Sequence, residues 1–233
     1  MFFPPFNEKA ARYERKFMVD AMDYYAVEQQ IRIHPAAFSP IFHPRYINNI
    51  YLDTNEFDFY FDNVSGRSSR KKARIRWYGE KEGFVEKPVL EFKIREGMLG
   101  NKISFPLKSF RVDDNLNREM LLDVFRNSKL PVWAVENLLF MKPALLNRYR
   151  RKYFLSFDSK FRLTIDNELA YFGIGANNNH FVEEYTGEDV IVELKYDQAF
   201  DEAASFVSNK LPFRLTKSSK YVNGIDFLNP ALT

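Results

Sequence analysis

Arg74-Ile75-Arg76-Trp77 is the stretch that decides the fold, because charged and bulky apolar side chains alternate along it. Alternate residues of a β-strand point to the same face of a sheet. The two arginines therefore share one face, and the isoleucine and the tryptophan share the other. The same division recurs in four other segments, which are Glu14–Val19, Glu91–Arg95, Arg162–Asp166 and Val192–Lys195. The sequence thus predicts several strands that each have one charged face and one apolar face.

The spacing of apolar residues gives the rest of the fold class. Strand-like alternation occurs in about eight segments, near residues 11–19, 46–53, 70–79, 88–95, 101–107, 146–157, 160–166 and 189–196. Helical spacing occurs near residues 22–33, 116–127 and 200–209, and a last short helix is predicted after Ser218. We predict a mainly β (α+β) fold, an antiparallel meander or barrel flanked by several helices. It is expected to form one domain over residues 1–233, with a helical insertion at about 113–143.

Composition excludes several classes of protein. The chain has 233 residues, 34 lysines and arginines against 31 aspartates and glutamates, and a formal charge of +3. That charge is too small to indicate a general nucleic-acid binder, so no nucleic-acid partner is expected. Without cysteine there is no disulfide, thiolate nucleophile or iron–sulfur site, and three histidines leave little room for an imidazole metal cage. The first six residues do not resemble a signal peptide, and no run of 18 apolar residues occurs, so we expect a cytoplasmic protein.

The charged faces allow two interpretations. In the first, they are the solvated outer side of ordinary antiparallel sheets. In the second, the barrel is inverted, so that charged side chains line a lumen and apolar ones pack outward against helices. The second interpretation is favoured because the charged faces are rich in arginine with single carboxylates among them, and because the opposite faces are bulky and aromatic. Trp77, Trp133 and many phenylalanines are accordingly expected in the core and not as platforms for stacking bases.

A lumen lined mainly with cations indicates the kind of ligand it would hold. When empty it is unfavourable, because like charges repel one another and each ion loses hydration. A dense, flexible polyanion would offset that cost. Arginine makes bidentate contacts with phosphate and lysine supplies point charge, so the mixture fits a chain of phosphates better than a single carboxylate. The few carboxylates are then expected to be oxygen ligands for Mg or Mn.

Eight short motifs occur in one order between about residues 11 and 228. They are Tyr13–Phe17, Ile50–Thr54, Arg74–Gly79, Glu91–Lys93, Tyr149–Arg151 with Phe154, Phe161–Asp166, Val192–Lys195 and Lys217–Tyr221. In sequence and order these motifs resemble the VTC domain, the polyphosphate polymerase module of the triphosphate tunnel metalloenzyme superfamily. Each motif alone is a weak signal, but eight in order are specific.

The resemblance implies an eight-stranded antiparallel tunnel barrel whose charged lumen binds a nucleoside triphosphate, with ATP as the first choice, together with inorganic polyphosphate and a divalent metal, Mn or Mg. The terminal phosphate of the nucleotide would be transferred to the growing polyphosphate chain. The resemblance implies catalytic roles for Arg74, Arg76, Arg151, Arg162, Lys217 and Lys220. It implies phosphate-binding roles for Lys16, Lys93, Lys102, Lys195, Tyr149 and Ser219, and metal-ligand roles for Glu193, Glu14 and Glu91.

The sequence departs from the superfamily at one informative position. The hydrolytic branch opens with a Glu-x-Glu-x-Lys signature, whereas the corresponding residues here are Arg12, Glu14 and Lys16. Loss of the first carboxylate removes a metal ligand and adds positive charge, which favours the polymerase branch. Three functions stay open: a polyphosphate polymerase, a metal-dependent tunnel triphosphatase or polyphosphatase, and a non-catalytic polyphosphate- or nucleotide-binding module.

Two further expectations concern the surroundings of the lumen. The basic run Arg67, Arg70, Lys71 and Lys72 is either a solvated loop or a funnel at the tunnel mouth that steers polyphosphate inward. Eukaryotic relatives carry an SPX domain and membrane helices, which this sequence lacks. Coupling to a membrane would therefore require a separate membrane protein partner that recruits the chain to the inner face of the membrane.

Overall fold

The computed structural model describes residues 3–8, 11–19, 22–175, 179–181, 183–187 and 189–232. The strands in these residues are β1 (Arg12–Val19), β2 (Ser39–Asp53), β3 (Ser69–Tyr78), β4 (Gly83–Val85), β5 (Val89–Glu96), β6 (Leu99–Pro106), β7 (Phe110–Val112), β8 (Lys142–Leu155), β9 (Phe161–Gly173), β10 (Glu183–Gly187) and β11 (Val190–Asp197). The α-helices are α1 (Tyr24–Arg32), α2 (Asp58–Val64), α3 (Arg118–Arg126), α4 (Val132–Leu138), α5 (Asp201–Asn209) and α6 (Lys220–Leu228).

Eight of the strands form a closed ring. Their order is β9-β11-β1-β6-β5-β3-β2-β8, and β8 pairs with β9 to close it, with every pairing antiparallel. The predicted eight-stranded antiparallel ring is therefore confirmed. Its thinnest seam lies between β1 and β6, where two residue pairs, Arg12 with Gly100 and Tyr13 with Leu99, join the strands. β10 extends the edge of β9 beyond β11, and β4 pairs with β7 in a separate small sheet.

Some elements differ from those predicted. β2 begins at Ser39 and not near residue 46, and β9 continues to Gly173 and not only to residue 166. The early part of β2 contains prolines and exposed polar residues, which conceal the alternation. α2 and α4 have seven residues each, too few for a helical period to show in the sequence. α3 and α4 both lie in the segment 113–143, where a helical insertion was expected.

The apolar faces of the ring pack outward. The apolar residues of β2, β3, β5 and β8, with Leu169–Phe172 of β9, form one core with α2, α3, α4 and α6. Those of β1, β11 and the first part of β9 form another with α1 and α5. Trp77 is 3% exposed, and the ring centroids of Phe92 and Trp133 lie 5.1 Å apart in the first core. Trp77 and Trp133 thus lie in or against the core, as predicted. This outward packing leaves the interior of the ring to the charged faces.

The position of α6 follows from contacts along its length. Ser219 caps its first turn by accepting a hydrogen bond from Val222 N at 3.2 Å. The Tyr221 hydroxyl donates to the buried carboxylate of Asp53, at the end of β2. Gly224 lies so close to β9 that a Cβ at this position would be 2.7 Å from Tyr171 Cδ1. These contacts hold the first turn of α6 against one end of the ring. In the described part of the chain, no helix has both the length and the apolar character needed to cross a lipid bilayer.

Candidate functional site

The charged faces of seven strands, β1, β3, β5, β6, β8, β9 and β11, converge inside the ring. In the ladders, Lys16 lies opposite Glu193, Glu14 opposite Lys195, and Arg74 opposite Glu91. Cross-strand partners share a face of the sheet, so these side chains point to the same side. The interior side chains that carry charge include Glu14, Lys16, Lys72, Arg74, Arg76, Glu91, Lys93, Lys102, Arg151, Asp166, Glu193, Lys195 and, from α6, Lys220. We call this charged interior the tunnel. The inverted barrel is therefore the correct interpretation of the alternating strands.

Glu91 forms one centre of charge in the tunnel. Its Oε2 accepts hydrogen bonds from Arg74 Nη2 at 2.6 Å and Nε at 2.8 Å, and its Oε1 accepts one from Lys102 Nζ at 2.8 Å. Arg76 Nη1 lies 3.7 Å from the same carboxylate. Burial would raise the pKa of Glu91, but the two arginines and Lys102 outweigh it and hold this pKa far below its ordinary value. The two arginines are thereby fixed side by side on β3.

Glu193 and Asp166 form a second centre. Glu193 lies 2.9 Å from Lys195 Nζ, 3.0 Å from Arg151 Nη2, 3.4 Å from Lys16 Nζ and 3.5 Å from Lys220 Nζ. Asp166 is fully buried, and it accepts two hydrogen bonds from Arg151 and contacts Lys220 Nζ at 2.5 Å. Burial opposes ionisation of both carboxylates, yet these cations lower the pKa of each. The centre joins strands β1, β8, β9 and β11 to the start of α6.

Glu14 forms a third centre, which is adjacent to the second. Its carboxylate lies 3.0 Å from Lys93 Nζ, 3.2 Å from Lys16 Nζ and 3.6 Å from Lys195 Nζ. Burial raises the pKa of Glu14, but Lys93, Lys16 and Lys195 together bring it well below its ordinary value. Lys16 and Lys195 contact both Glu14 and Glu193, so the two carboxylates share these two lysines.

Lys72 belongs to the tunnel, although the sequence analysis placed it in the basic run and not among the site residues. It lies on β3 two residues before Arg74, on the same face, and its Nζ donates to Ser219 Oγ at 2.6 Å. Among the described residues, no carboxylate forms an ion pair with it. Burial lowers the pKa of Lys72 well below its ordinary value, and Lys16 and Lys93 lower it further.

The basic run that contains Lys72 is divided between the two faces of β3. Lys71, on the opposite face, places its Nζ 4.5 Å from the ring centroid of Phe3. The alternation that revealed Arg74 and Arg76 continues backward through Lys72 to Arg70, and this was the available signal. Neither predicted alternative, a solvated loop or a funnel at the tunnel mouth, describes Lys72, because this residue lies on a strand and faces the interior.

Most of the predicted site residues meet in the tunnel. Tyr149 is buried there, its hydroxyl accepts a hydrogen bond from Arg76 Nη2 at 3.2 Å, and Lys220 Nζ lies 4.8 Å from its ring centroid. Arg162 and Lys217 are different, because both are exposed and neither forms an ion pair with the residues that the structure describes. Arg162 lies on the interior face at the start of β9, and Lys217 precedes α6. The residues brought together are Glu14, Lys16, Arg74, Arg76, Glu91, Lys93, Lys102, Tyr149, Arg151, Glu193, Lys195, Ser219 and Lys220.

The three predicted metal ligands do not form a single cluster. Glu91 is held by its own cations, whereas Glu14 and Glu193 share Lys16 and Lys195. Within the described ranges, no group of three or more His, Cys, Asp or Glu side chains could hold a metal ion. Magnesium is commonly bound by one or two carboxylates with phosphate oxygens and water completing its shell. The pair Glu14 and Glu193 fits that kind of site, and Glu91 lies apart from it.

The position that departs from the hydrolytic branch lies near the thin seam. Arg12 and Asp197 face each other across β1 and β11, with Arg12 Nε 3.6 Å from Asp197 Oδ1 and both side chains more than half exposed. The positive charge of Arg12 is therefore offset by Asp197 and exposed to water. The position contributes no carboxylate to the tunnel.

Comparisons with known proteins agree with this arrangement. The model of the VTC domain family matches residues 11–229. Vacuolar transporter chaperone complex subunit 4 of Schizosaccharomyces pombe is 24% identical over an alignment of 231 residues, which covers 78% of this chain and 32% of that protein. The chain therefore spans about a third of the length of this relative.

Two solved structures share the fold. One is a Hippeastrum protein assigned as an adenylyl cyclase and described as having a dominant triphosphatase activity, with a TM-score of 0.50, 14% identity, and coverage of 94% of this chain and 96% of that one. The other is a Vibrio parahaemolyticus protein assigned as an adenylate cyclase, with a TM-score of 0.51, 11% identity, and coverage of 91% and 98%.

Proposed function

Because this chain belongs to the VTC domain family, as its motifs predicted, we propose that it is a polyphosphate polymerase that uses a nucleoside triphosphate, ATP first, as phosphoryl donor. The observation that carries the proposal is the charge balance of the tunnel. Nine cations, Lys16, Lys72, Arg74, Arg76, Lys93, Lys102, Arg151, Lys195 and Lys220, line the tunnel together with four carboxylates, Glu14, Glu91, Asp166 and Glu193. An interior with this excess of cations needs an anionic ligand, and a chain of phosphates supplies charge along its whole length.

The chemistry of phosphoryl transfer suits a site of this composition. Catalysis consists mainly of positioning and of stabilising charge on the transferred group. Arg74 and Arg151 are hydrogen-bonded to carboxylates, and Arg76 is hydrogen-bonded to Asn49 and Tyr149. All three would present guanidinium groups to the triphosphate. Lys16, Lys72 and Lys220 lie toward α6 and would hold the acceptor chain. Arg162 and Lys217, exposed and without ion pairs in the described residues, would capture phosphates as they arrive.

The reaction needs no protein nucleophile. A terminal oxygen of polyphosphate is already ionised at neutral pH, and it would form a bond to the γ-phosphorus while the bond from that phosphorus to the β–γ bridging oxygen breaks. The nucleoside diphosphate leaves with the electron pair, and the chain is longer by one phosphate. Glu14 and Glu193 would hold Mg or Mn, which, when bound, neutralises charge on phosphate oxygens.

A tunnel triphosphatase is the second candidate, because a relative with the same fold is described as having a dominant triphosphatase activity. In that reaction water replaces the polyphosphate end as acceptor. A non-catalytic binding module is the third. Since the S. pombe relative is a subunit of a vacuolar complex, we further propose a membrane protein partner that would recruit this chain from the cytoplasm.

One assay separates the three functions. Purified protein is incubated with ATP, Mn or Mg and a short polyphosphate primer, and nucleoside diphosphate, orthophosphate and long-chain polyphosphate are measured. The polymerase gives diphosphate and longer chains, whereas orthophosphate without chain growth identifies a hydrolase. Glu193→Gln should abolish turnover in either enzyme, while Glu168→Gln, at an exposed side chain paired with Arg150, should not. Binding without turnover in the parent protein would identify the third function.

A further inference from the structure

Three aromatic rings surround an arginine at one end of the tunnel. Arg45 Cζ lies 4.6 Å from the ring centroid of Tyr78, 5.1 Å from that of Phe42 and 5.2 Å from that of Tyr153. The rings of Phe42 and Tyr153 contact each other edge to face, with centroids 5.6 Å apart. We call Phe42, Arg45, Tyr78 and Tyr153 the aromatic mouth. It lies away from the end where α6 begins.

The strand register places the aromatic mouth on the interior face. Arg45 lies opposite Arg151 in the ladder of β2 and β8, and Phe42 lies opposite Tyr153. Tyr78 follows Arg76 by two residues on β3 and therefore shares its face. Arg151 Cζ is also 5.8 Å from the ring centroid of Tyr153. The three rings therefore lie on the interior face next to Arg76 and Arg151, toward one end of the tunnel.

The exposure of Phe42 and Tyr78 distinguishes them from the core, whereas Tyr153 is partly buried against it. Phe42 is 52% exposed and Tyr78 is 50% exposed, whereas Trp77, next to Tyr78 on the outer face, is 3% exposed. Large aromatic side chains left accessible beside a set of phosphate-binding cations have the composition of a nucleotide site, because every base has a π-face that stacks on aromatic rings and on guanidinium planes.

We propose that the aromatic mouth binds the nucleobase of the nucleoside triphosphate while Arg76 and Arg151 hold its phosphates. This inference rests on the proposed function, since it concerns the same tunnel, and it assigns the nucleotide to one end. The acceptor chain then occupies the other end, near Lys72, and Lys16 and Lys220, which share Glu193 with Arg151, lie between the two. Stacking tolerates different bases, so the site should discriminate weakly between ATP and GTP.

The test compares a ligand that has a base with one that has none. Dissociation constants for ATP and for inorganic tripolyphosphate are measured by calorimetry for the parent protein and for Tyr78→Leu and Phe42→Leu. The affinity for ATP should fall by about 5- to 150-fold in each variant, and the affinity for tripolyphosphate should stay the same. Tyr78→Phe, which keeps the ring, should restore ATP binding. Tyr25→Leu, at a side chain that is 76% exposed on α1, is the matched control and should change neither constant.

The outcomes separate this inference from the proposed function. Unchanged tripolyphosphate affinity in a variant also shows that the variant is folded. Equal losses for both ligands, or no loss for ATP, would overturn the assignment of the base while leaving the polyphosphate tunnel intact. A parent protein that binds neither ligand would overturn the proposed function and the assignment together.

Discussion

Replacing Lys72 with methionine should stabilise the empty protein and weaken its binding of polyphosphate. Lys72 Nζ has a hydroxyl partner in Ser219, and it has no ion-pair partner in the described residues. The charged groups that act on it most strongly are the cations Lys16, Lys93 and Arg70, which lower its pKa, and the carboxylate Glu14, which raises it. Methionine keeps the length of the side chain and removes the charge. The two effects have opposite signs because the same cation is unfavourable in the empty tunnel and favourable beside phosphate.

The size of each effect follows from these contacts. In the empty tunnel, removing the charge relieves repulsion and desolvation, whereas losing the hydrogen bond to Ser219 costs about 1 kcal/mol. The net effect is an increase of about 1 kcal/mol in the free energy of unfolding. For a domain of this size that is about 2 to 4 °C in Tm. With tripolyphosphate, the variant loses a charge-assisted hydrogen bond worth about 1.5 to 3 kcal/mol, which is about a 10- to 150-fold loss of affinity.

Proton linkage gives a second readout. Burial and neighbouring cations lower the pKa of Lys72 in the folded protein below its ordinary value of 10.5. At a pH between these two values, Lys72 is protonated in the unfolded chain and neutral in the folded one. Stability therefore rises with pH through this window, and Lys72→Met should remove that slope. A bound polyanion favours the charged lysine, so binding within the window should take up as much as about one proton. Calorimetry in buffers of different ionisation enthalpy measures the uptake.

Lys71→Met is the matched control, because Lys71 is the neighbouring lysine on the outer face. Thermal unfolding and titration with tripolyphosphate are carried out on both variants and the parent. Lys71→Met should leave the affinity and the proton uptake unchanged. If Lys72→Met lowers the Tm of the empty protein, or binds tripolyphosphate as tightly as the parent does, then the charge of Lys72 does not destabilise the empty tunnel or does not bind phosphate, and the reasoning is wrong.

Three other changes test the structure. Gly224→Ala should lower stability by about 1 to 3 kcal/mol, because the new methyl group would lie 2.7 Å from Tyr171 Cδ1, and thermal unfolding measures the loss. Glu91→Gln should lower stability at pH 7 and make stability decline less steeply toward pH 3, as measured by urea titrations. The lowered pKa of Glu91 contributes stability above pH 4.5, its ordinary pKa, and this contribution is lost as the pH falls toward the pKa of the folded state. Asp53→Asn should cost about 3 kcal/mol of stability in the same titrations, because the buried carboxylate accepts hydrogen bonds from three backbone N–H groups and Tyr221, and an amide cannot accept them all.

The sequence predicted those parts of the site that depend on alternation along strands. Arg74 and Arg76 could be placed on one face because Ile75 and Trp77 lie between them. Lys72 was missed because a run of adjacent basic residues conceals the alternation, and only the limits of β3 show that Lys71 and Lys72 point in opposite directions. The eight strands of the ring could be predicted for the same reason as the arginines, since each repeats the two-residue period, whereas the shorter strands β4, β7 and β10 were not predicted.

Contacts between distant strands could not be read from the pattern. The sharing of Lys16 and Lys195 by Glu14 and Glu193 depends on the register of β1 against β11, which the closed ring fixes. The separation of Glu91 from those two carboxylates depends on the same closure. The aromatic mouth is a further case, because Arg45 lies in the early part of β2, where no strand was predicted. Register and ring closure therefore decide which charges meet, and the alternation decides only which face they are on.

The internal carboxylates have a consequence for how a phosphate chain enters. Glu193 contacts cations from β1, β8, β11 and α6, so in the empty protein it serves as a shared counter-ion that holds Lys220, and with it the first turn of α6, against the ring. A phosphate chain offers oxygens to the same cations and competes with Glu193 for them. Binding of the chain and the hold on α6 are thus coupled through Glu193, while Asp166, 2.5 Å from Lys220 Nζ, and the hydrogen bond from Tyr221 to Asp53 also keep the helix attached. A tunnel built this way can exchange internal counter-ions for phosphate without losing the element that bounds its end.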